Sequence, residues 1–340
     1  MATKLTPIRI FILVLVACIV IFALGLVDRG PPAVSAVTRH GFLSVEGNQI
    51  LNHQGQAVSL AGVSLFWSNN GWEGERFYNN AALHEVAWEW NAALIRAPMG
   101  VETPGGYLED AESNLARVET VIDAAIKEGL YVIVDWHSHH AHLYTEQAVD
   151  FFTHIADTYG EFPNIIYEIY NEPLADTDWS ETIKPYAEEV IRAIRAIDTK
   201  NLIVVGTPSW SQDVEVAAQN PIVGFDNIAY ALHFYAGSHG QELRDKAEQA
   251  LNQGVALMVT EWGTVNATGD GAVAAEETQL WLEFMRRHKL SHANWALNDK
   301  EEGASILHPD VDPNGAWSDE DFTQSGQLVR AIIQDWHLEN

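Results

Sequence analysis

A (β/α)8 barrel is the fold this 340-residue sequence predicts. Short apolar runs recur eight times, amphipathic stretches separate them, and nearly every run ends in a polar, charged or aromatic residue. The runs are Val58–Ser64, Ala92–Arg96, Tyr131–Trp136, Ile165–Tyr170, Leu202–Gly206, Ile228–Phe234, Ala256–Thr260 and His292–Ala296. They are rich in Val and Ile and apolar throughout rather than alternating, the pattern of strands covered on both faces. Between them lie helical candidates such as Asn80–Trp90, Leu115–Glu128, Thr145–Tyr159, Trp179–Ile197, Gln241–Asn252 and Ala272–Lys289. Leu115, Val118, Val121, Ile122, Ala125 and Ile126 fall on one face of such a helix. Eight units in about 300 residues fit a closed barrel better than an open doubly wound sheet. No run is followed by a glycine-rich phosphate loop, which weighs against dinucleotide binding. A hairpin over Phe42–Leu51, followed by the turn His53-Gln54-Gly55, precedes the first unit. The last loop, Asn298 to Thr323, is long and rich in Asp, Gly and Pro, as binding loops are.

Composition narrows the function classes. Nineteen Lys and Arg stand against 47 Asp and Glu, a net charge of −28, which excludes a nucleic-acid or anionic-membrane surface as partner. Twelve Trp, 10 Tyr and 12 Phe exclude a disordered acidic chain. The single cysteine, Cys18, lies in the N-terminal apolar segment, so the barrel itself offers no thiol nucleophile or cysteine metal site. Lys4 and Arg9 precede an apolar run from Ile10 to Val27, and Ala33-Val34-Ser35-Ala36 follows. Residues 1–36 read as a signal peptide cleaved after Ala36; a retained anchor over residues 10–27 is the alternative, because 18 apolar residues reach across a bilayer. Continuation of the apolar stretch past Cys18 argues against a lipoprotein cleavage box at Leu15-Val16-Ala17-Cys18. The layout is then 1–36 for export and 37–340 as one barrel, exported and monomeric, with no room for a separate binding module. Lys4, Arg9 and Arg29 against Asp28 give the leader +2, leaving −30 on the remainder, a charge that favours solubility and fits a saline setting.

Chemistry in such a barrel belongs at the C-terminal ends of the strands. Those ends carry Phe66-Trp67, Arg96, Asp135-Trp136-His137, Asn171-Glu172-Pro173, Trp210, His233-Phe234-Tyr235, Glu261-Trp262-Gly263 and Trp295. Glu172 and Glu261 follow strands four and seven, which face each other across the mouth. One such carboxylate alone reads equally as a structural ion pair; two opposed ones supply the proton donor and the nucleophile or base that glycoside cleavage needs. Trp67, Trp210 and Trp295 follow strands one, five and eight, spread as stacking platforms for an extended sugar chain. Trp88, Trp90, Trp281 and Trp336 sit within helices and are expected in the core.

Ile169-Tyr170-Asn171-Glu172-Pro173 and Val259-Thr260-Glu261-Trp262-Gly263 resemble the two catalytic signatures of glycoside hydrolase family 5. The likeness runs from about Phe42 to the C-terminus. It includes Arg96-Ala97-Pro98-Met99, Val134-Asp135-Trp136-His137-Ser138-His139, Trp210-Ser211-Gln212-Asp213-Val214, Ala231-Leu232-His233-Phe234-Tyr235-Ala236 and Asn294-Trp295-Ala296-Leu297-Asn298-Asp299-Lys300, in the family's order. It is greatest to the bacterial endo-β-1,4-glucanases. The resemblance implies Glu172 as acid/base and Glu261 as nucleophile of a retaining mechanism, with carboxyls about 5–5.5 Å apart. Apolar neighbours and Glu261 would raise Glu172, while Arg96 and Tyr235 would keep Glu261 ionised. Asn171 would bind the sugar 2-hydroxyl, His137 and His233 would orient groups in the same subsite, and Lys300 and Glu302 would contact hydroxyls on the non-reducing side. No cofactor or metal is implied, and the partner is a β-1,4-glucan, soluble or amorphous rather than crystalline. Gly100 departs from the pattern where relatives often carry an aromatic, so a sugar contact is expected to be missing. Mannan, lichenan and xylan remain alternative substrates.

A competing reading comes from His137-Ser138-His139-His140-Ala141-His142, since H-x-H at a strand end holds zinc in some barrel hydrolases. On that view His137 and His139, with Glu172 or Asp135, are ligands of a metal-dependent hydrolase. A non-catalytic carbohydrate-binding barrel is the third reading, disfavoured because binding alone needs no opposed acids.

Overall fold

The computed structural model describes residues 34–102 and 104–336. The signal-peptide and anchor expectations and Cys18 lie outside the described residues, apart from positions 34–36. Eight parallel strands close into a barrel: β3 (Ala61–Leu65), β4 (Leu94–Gly100), β5 (Tyr131–His137), β6 (Ile165–Glu168), β7 (Leu202–Val205), β8 (Ile228–Tyr235), β9 (Leu257–Gly263) and β10 (His292–Leu297), the last pairing with the first. Every strand residue is buried except half-buried Tyr235, which accounts for the continuous apolar runs. A hairpin of β1 (Ser44–Glu46) and β2 (Gln49–Leu51) turns at Gly47-Asn48, and Leu51 bridges Ala57 across the expected His53-Gln54-Gly55 turn.

A short helix α1 (Ala36–His40) is capped by Ser35, whose Oγ accepts from Thr38 N at 3.2 Å. The cut expected after Ala36 falls inside this helix. Leu43 and Ile50 of the hairpin segment join the barrel interior made by Leu60, Leu94, Tyr131, Ile133, Ile166, Leu202, Val204 and Met258, with Ala36 and Val37 against it. The Tyr131 hydroxyl donates to Gly41 O at 2.6 Å. Hairpin and α1 therefore close the N-terminal end of the barrel, leaving the C-terminal end for chemistry. Each buried aliphatic contributes roughly 1.5–3 kcal/mol.

The outer ring is α2 (Asn80–Trp88), α3 (Ala111–Glu128), α4 (Thr145–Tyr159), α5 (Lys184–Arg195), α6 (Val214–Gln219), α7 (Gln241–Asn252), α8 (Ala275–His288) and α9 (Gln324–Trp336). Asp110 caps α3 and left-handed Gly129 ends it. The stretch expected as one helix over Trp179–Ile197 instead opens with a π-turn over Trp179–Ile183. Pro185, which lacks an N–H, is tolerated only in the first turn of α5.

Strand ends also differ from expectation. The first begins at Ala61 rather than Val58, because Val58 N donates to Ile50 O of the hairpin and Leu60 N to Ser291 Oγ. The fourth stops at Glu168, so Asn171 and Glu172 leave the sheet and turn over the mouth, whereas β9 continues through Glu261. Trp90, Trp281 and Trp336 are in the core as expected, but Trp88 is 47% exposed, its indole N–H donating to Glu128.

Candidate active site

A buried cation organises the mouth. Arg96, fully buried on β4, donates from Nε to Glu168 at 2.7 Å, from Nη1 to Glu261 at 2.9 Å and from Nη2 to Asn171 Oδ1 at 2.6 Å. Its Nη2 also lies 2.9 Å from Asp135 Oδ2. Burial opposes its charge, but Asp135, Glu168 and Glu261 outweigh it and hold the guanidinium above its usual range. A planar fork with five donors suits such a hub in a way a lysine does not. Asn171, its oxygen committed to Arg96, keeps its amide N–H₂ for another partner.

The two candidate carboxylates meet. An oxygen of Glu172 and an oxygen of Glu261 lie within 4.8 Å of each other and of a His233 nitrogen. Tyr235 O–H donates to Glu261 Oε1 at 2.7 Å, so Arg96 and Tyr235 serve one oxygen each. They do not hold Glu261 low as expected: burial first, then the charge of Glu172, push it above the usual carboxylate range. Desolvation of a carboxylate beside a second acid outweighs two donors. The remaining acids divide: burial drives Asp135 well up, while Glu168, despite its burial, is held down by Arg96 and His233.

His233 on β8 joins Glu172 to the interior. Its Nδ1 is 2.9 Å from Glu172 Oε1 and its Nε2 2.9 Å from Thr260 Oγ1, which donates to Glu168 Oε1 at 2.6 Å. His137 packs with Nδ1 2.6 Å from Asp135, its ring parallel to Trp295 at 5.3 Å and edge-on to Trp67 at 4.1 Å. Burial keeps it well below the usual imidazole value, hence neutral.

Glu172, Trp210, Gln212, His233, Tyr235, His239, Glu261 and Ala267 line a cavity of about 380 Å³ at this end. Trp210 is 43% exposed and rides a turn where Ser209, Trp210 and Ser211 all have φ near +57°. Trp67 is half-buried, 5.3 Å from Trp72, a second aromatic that the sequence reading passed over. Trp295 is a correction: only 7% exposed, it is covered by Phe66 and His137 and forms floor rather than open platform. Lys300 Nζ pairs with Glu302 at 2.6 Å and stands 5.4 Å from the Phe66 ring, which brings both to this rim. His239 was also missed; its Nδ1 accepts from Tyr235 N, leaving Nε2 as a donor.

Gly100 has a structural cause. A β-carbon there would stand 1.6 Å from Asn69 Oδ1, and Asn69 is fixed by bonds to the carbonyls of Glu102 and Pro104. The glycine admits the Asn69 side chain, which fills the space a side chain at position 100 would need.

The histidine run does not assemble a metal centre. His139 Nδ1 turns to Glu172 O at 3.1 Å, and half-exposed His140 lies 3.7 Å from Glu102. Among the described residues the one group of three metal-type donors is Glu172, His233 and Glu261, which contains neither His137 nor His139.

Fold and cleft together define a parallel (β/α)8 barrel with an opposed acid pair at its C-terminal rim. The family model for cellulase, glycosyl hydrolase family 5, matches residues 51–301, and the chain belongs to that family. It is 55% identical over 294 residues to endoglucanase Z of Dickeya dadantii and 42% identical over 299 residues to an endoglucanase of Clostridium saccharobutylicum, in each case across 86% of this chain. The chain spans 66% and 65% of those two proteins' lengths. A solved structure from Cytophaga hutchinsonii superposes with TM-score 0.87 at 48% identity, covering 90% of this chain and 98% of that one. The catalytic domain of Thermobifida fusca endoglucanase Cel5A superposes with TM-score 0.83 at 33% identity, over 88% and 99%.

Proposed function

We propose that the protein is a retaining endo-β-1,4-glucanase. The observation that carries this reading is the approach of Glu172 and Glu261 oxygens to within 4.8 Å at the open end of the barrel. That spacing favours double displacement, since an inverting pair stands roughly 6.5–9.5 Å apart to admit a water. Glu172 gives a proton to the glycosidic oxygen while Glu261 attacks the anomeric carbon, forming a glycosyl–enzyme ester and releasing the leaving sugar. Water then attacks that carbon, passing its proton to Glu172 and freeing Glu261. Because Glu172's charge is a main reason Glu261 is raised, protonating Glu172 favours ionised Glu261: one shared proton sets both roles. Arg96 and Tyr235 orient the nucleophile, Asn171 has an amide free for the 2-hydroxyl, and His233 together with the neutral imidazole of His137 flanks the same subsite.

Trp67 and Trp210 present aromatic faces to sugar rings, Trp295 closes the floor, and Lys300 with Glu302 meets hydroxyls at the rim. The endoglucanase relatives, and a structure of the Thermobifida domain holding cellotetraose, support a β-1,4-glucan as substrate. We read residues 1–36 as an export leader and the barrel as a monomer. No helix of the described residues is long and apolar enough to cross a membrane. N-terminal sequencing of exported protein and light scattering test those two points.

The test of function is hydrolysis of carboxymethyl cellulose, lichenan, mannan and xylan, with the anomeric form of the first product read by NMR. Cellulosic substrate is cleaved fastest and the β-anomer appears first. Glu172→Gln and Glu261→Gln each lower kcat at least about a thousandfold, the loss of some 4 kcal/mol of transition-state stabilisation. A rate within tenfold of the parent in either variant overturns the assignment.

A further inference from the structure

We propose that Glu168, acting through the Thr260 hydroxyl, is a positioning residue that holds His233 doubly protonated against Glu172 and so fixes the upper pH limit of proton donation. The proposal rests on Glu172 being the acid/base. Three strands contribute one continuous chain of hydrogen bonds. Glu168, ending β6, accepts from Thr260 Oγ1 at 2.6 Å. With its one hydrogen given to Glu168, Thr260 on β9 can only accept from His233 Nε2, 2.9 Å away. An Nε2–H leaves Nδ1 to face Glu172 Oε1 at 2.9 Å either as N–H donor to a carboxylate or as acceptor from a carboxylic acid. Glu172 and His233 thus hold one proton between them, and the anion at the far end of the chain keeps it there.

The charges around His233 agree. Glu168 and Glu172 face it from β6 and the loop beyond, Glu261 from β9, and Asp135 and His137 from β5, while Arg96 of β4 stands behind Glu168. Burial disfavours the imidazolium, but the bonds toward Glu168 and Glu172 and the field of Glu261 raise it to about 9. Glu168 is fully buried and His233 is 1% exposed, its Nε2 standing 3.5 Å from Glu168 Oε1, so the Thr260 hydroxyl fills the gap between the imidazole and the interior anion with a hydrogen-bonded bridge. The glucan does not touch Glu168; its influence passes through His233.

The experiment combines pH profiles of kcat/KM on a neutral β-glucan with ¹⁵N-histidine NMR titration of His233, its signal assigned by loss in His233→Asn. In Glu168→Gln the His233 titration and the alkaline limb both move down by about one pH unit or more, the effect of removing an opposite charge at this range. Thr260→Val, which keeps the Glu168 charge but breaks the chain, moves the alkaline limb and the His233 titration down and leaves the acidic limb in place. Thr260→Ser restores the parent profile. Titrations and limbs superimposable on the parent in Thr260→Val overturn the proposal, even if Glu168→Gln fails to fold. The NMR titration reads the chain independently of hydrolysis: a parent that cleaves no glucan but shows these shifts refutes the acid/base assignment and not the chain.

Discussion

His233 makes the site sensitive to pH as a matter of folding as well as catalysis. Its imidazole is raised from 6.5 to about 9 in the folded chain, so the stability it contributes is complete below 6.5 and is lost as pH rises through 9. Glu261 and Asp135, whose carboxyls are also raised, act in the same direction, because the folded protein binds their protons more tightly than the unfolded chain does. Unfolding free energy measured by denaturant titration is therefore expected to fall by on the order of 3 kcal/mol between pH 6.5 and 10. In His233→Asn most of that slope disappears. Gly100 gives a second prediction: Gly100→Ala displaces Asn69 from its two carbonyl partners and lowers stability by about 1–3 kcal/mol, seen as a lower denaturant midpoint. Glu172, Glu261, Arg96, His137, Asn171, His233 and Tyr235, which the fold brings to one mouth, could be singled out in the sequence because each closes or closely follows an apolar run, whereas the roles proposed for them come from the family resemblance. Glu168 carried a fainter sign, a charge inside the apolar run Ile165–Ile169, and its partner in space depends on strand register that spacing does not encode.

At the scale of elements, the barrel was legible because burial on both faces writes an unbroken apolar run, one for each of the eight strands. Ends were less so. Whether β6 halts at Glu168 or β9 runs past Glu261 depends on which backbone groups find partners across the sheet. The turn over Pro208–Ser211 could not be read from composition either, since three successive non-glycine residues with positive φ persist only when surroundings enforce them. Those surroundings are visible: Trp210 N donates to Pro173 O at 2.8 Å and Ser211 Oγ to Asn171 O at 2.7 Å. Trp210 and the loop that carries Asn171 and Glu172 thus share one framework. Ser211→Ala removes a bond from it, and kcat is expected to fall roughly tenfold with the fold retained, since small displacements of reacting groups weigh heavily. A steady-state comparison on cellotetraose and on polymer checks this; unchanged kcat on both refutes the link.

Across the whole molecule, 28 net negative charges repel one another. Added NaCl shortens the Debye length from ~30 Å at 0.01 M to ~3 Å at 1 M. The thermal midpoint is therefore expected to rise with salt over that range. Cleavage of carboxymethyl cellulose, a polyanion, should gain more from salt than cleavage of neutral lichenan, a difference read directly from paired rate measurements. The same scale shows what the hairpin and α1 accomplish. With that end filled by Leu43 and Ile50, sugar and solvent meet Glu172 and Glu261 at the opposite rim. On the double-displacement reading, the water that opens the ester approaches from the side the outgoing sugar has just vacated, and a second carbohydrate lying there competes with it. Whichever hydroxyl occupies that vacated side decides between breaking the chain and rebuilding one.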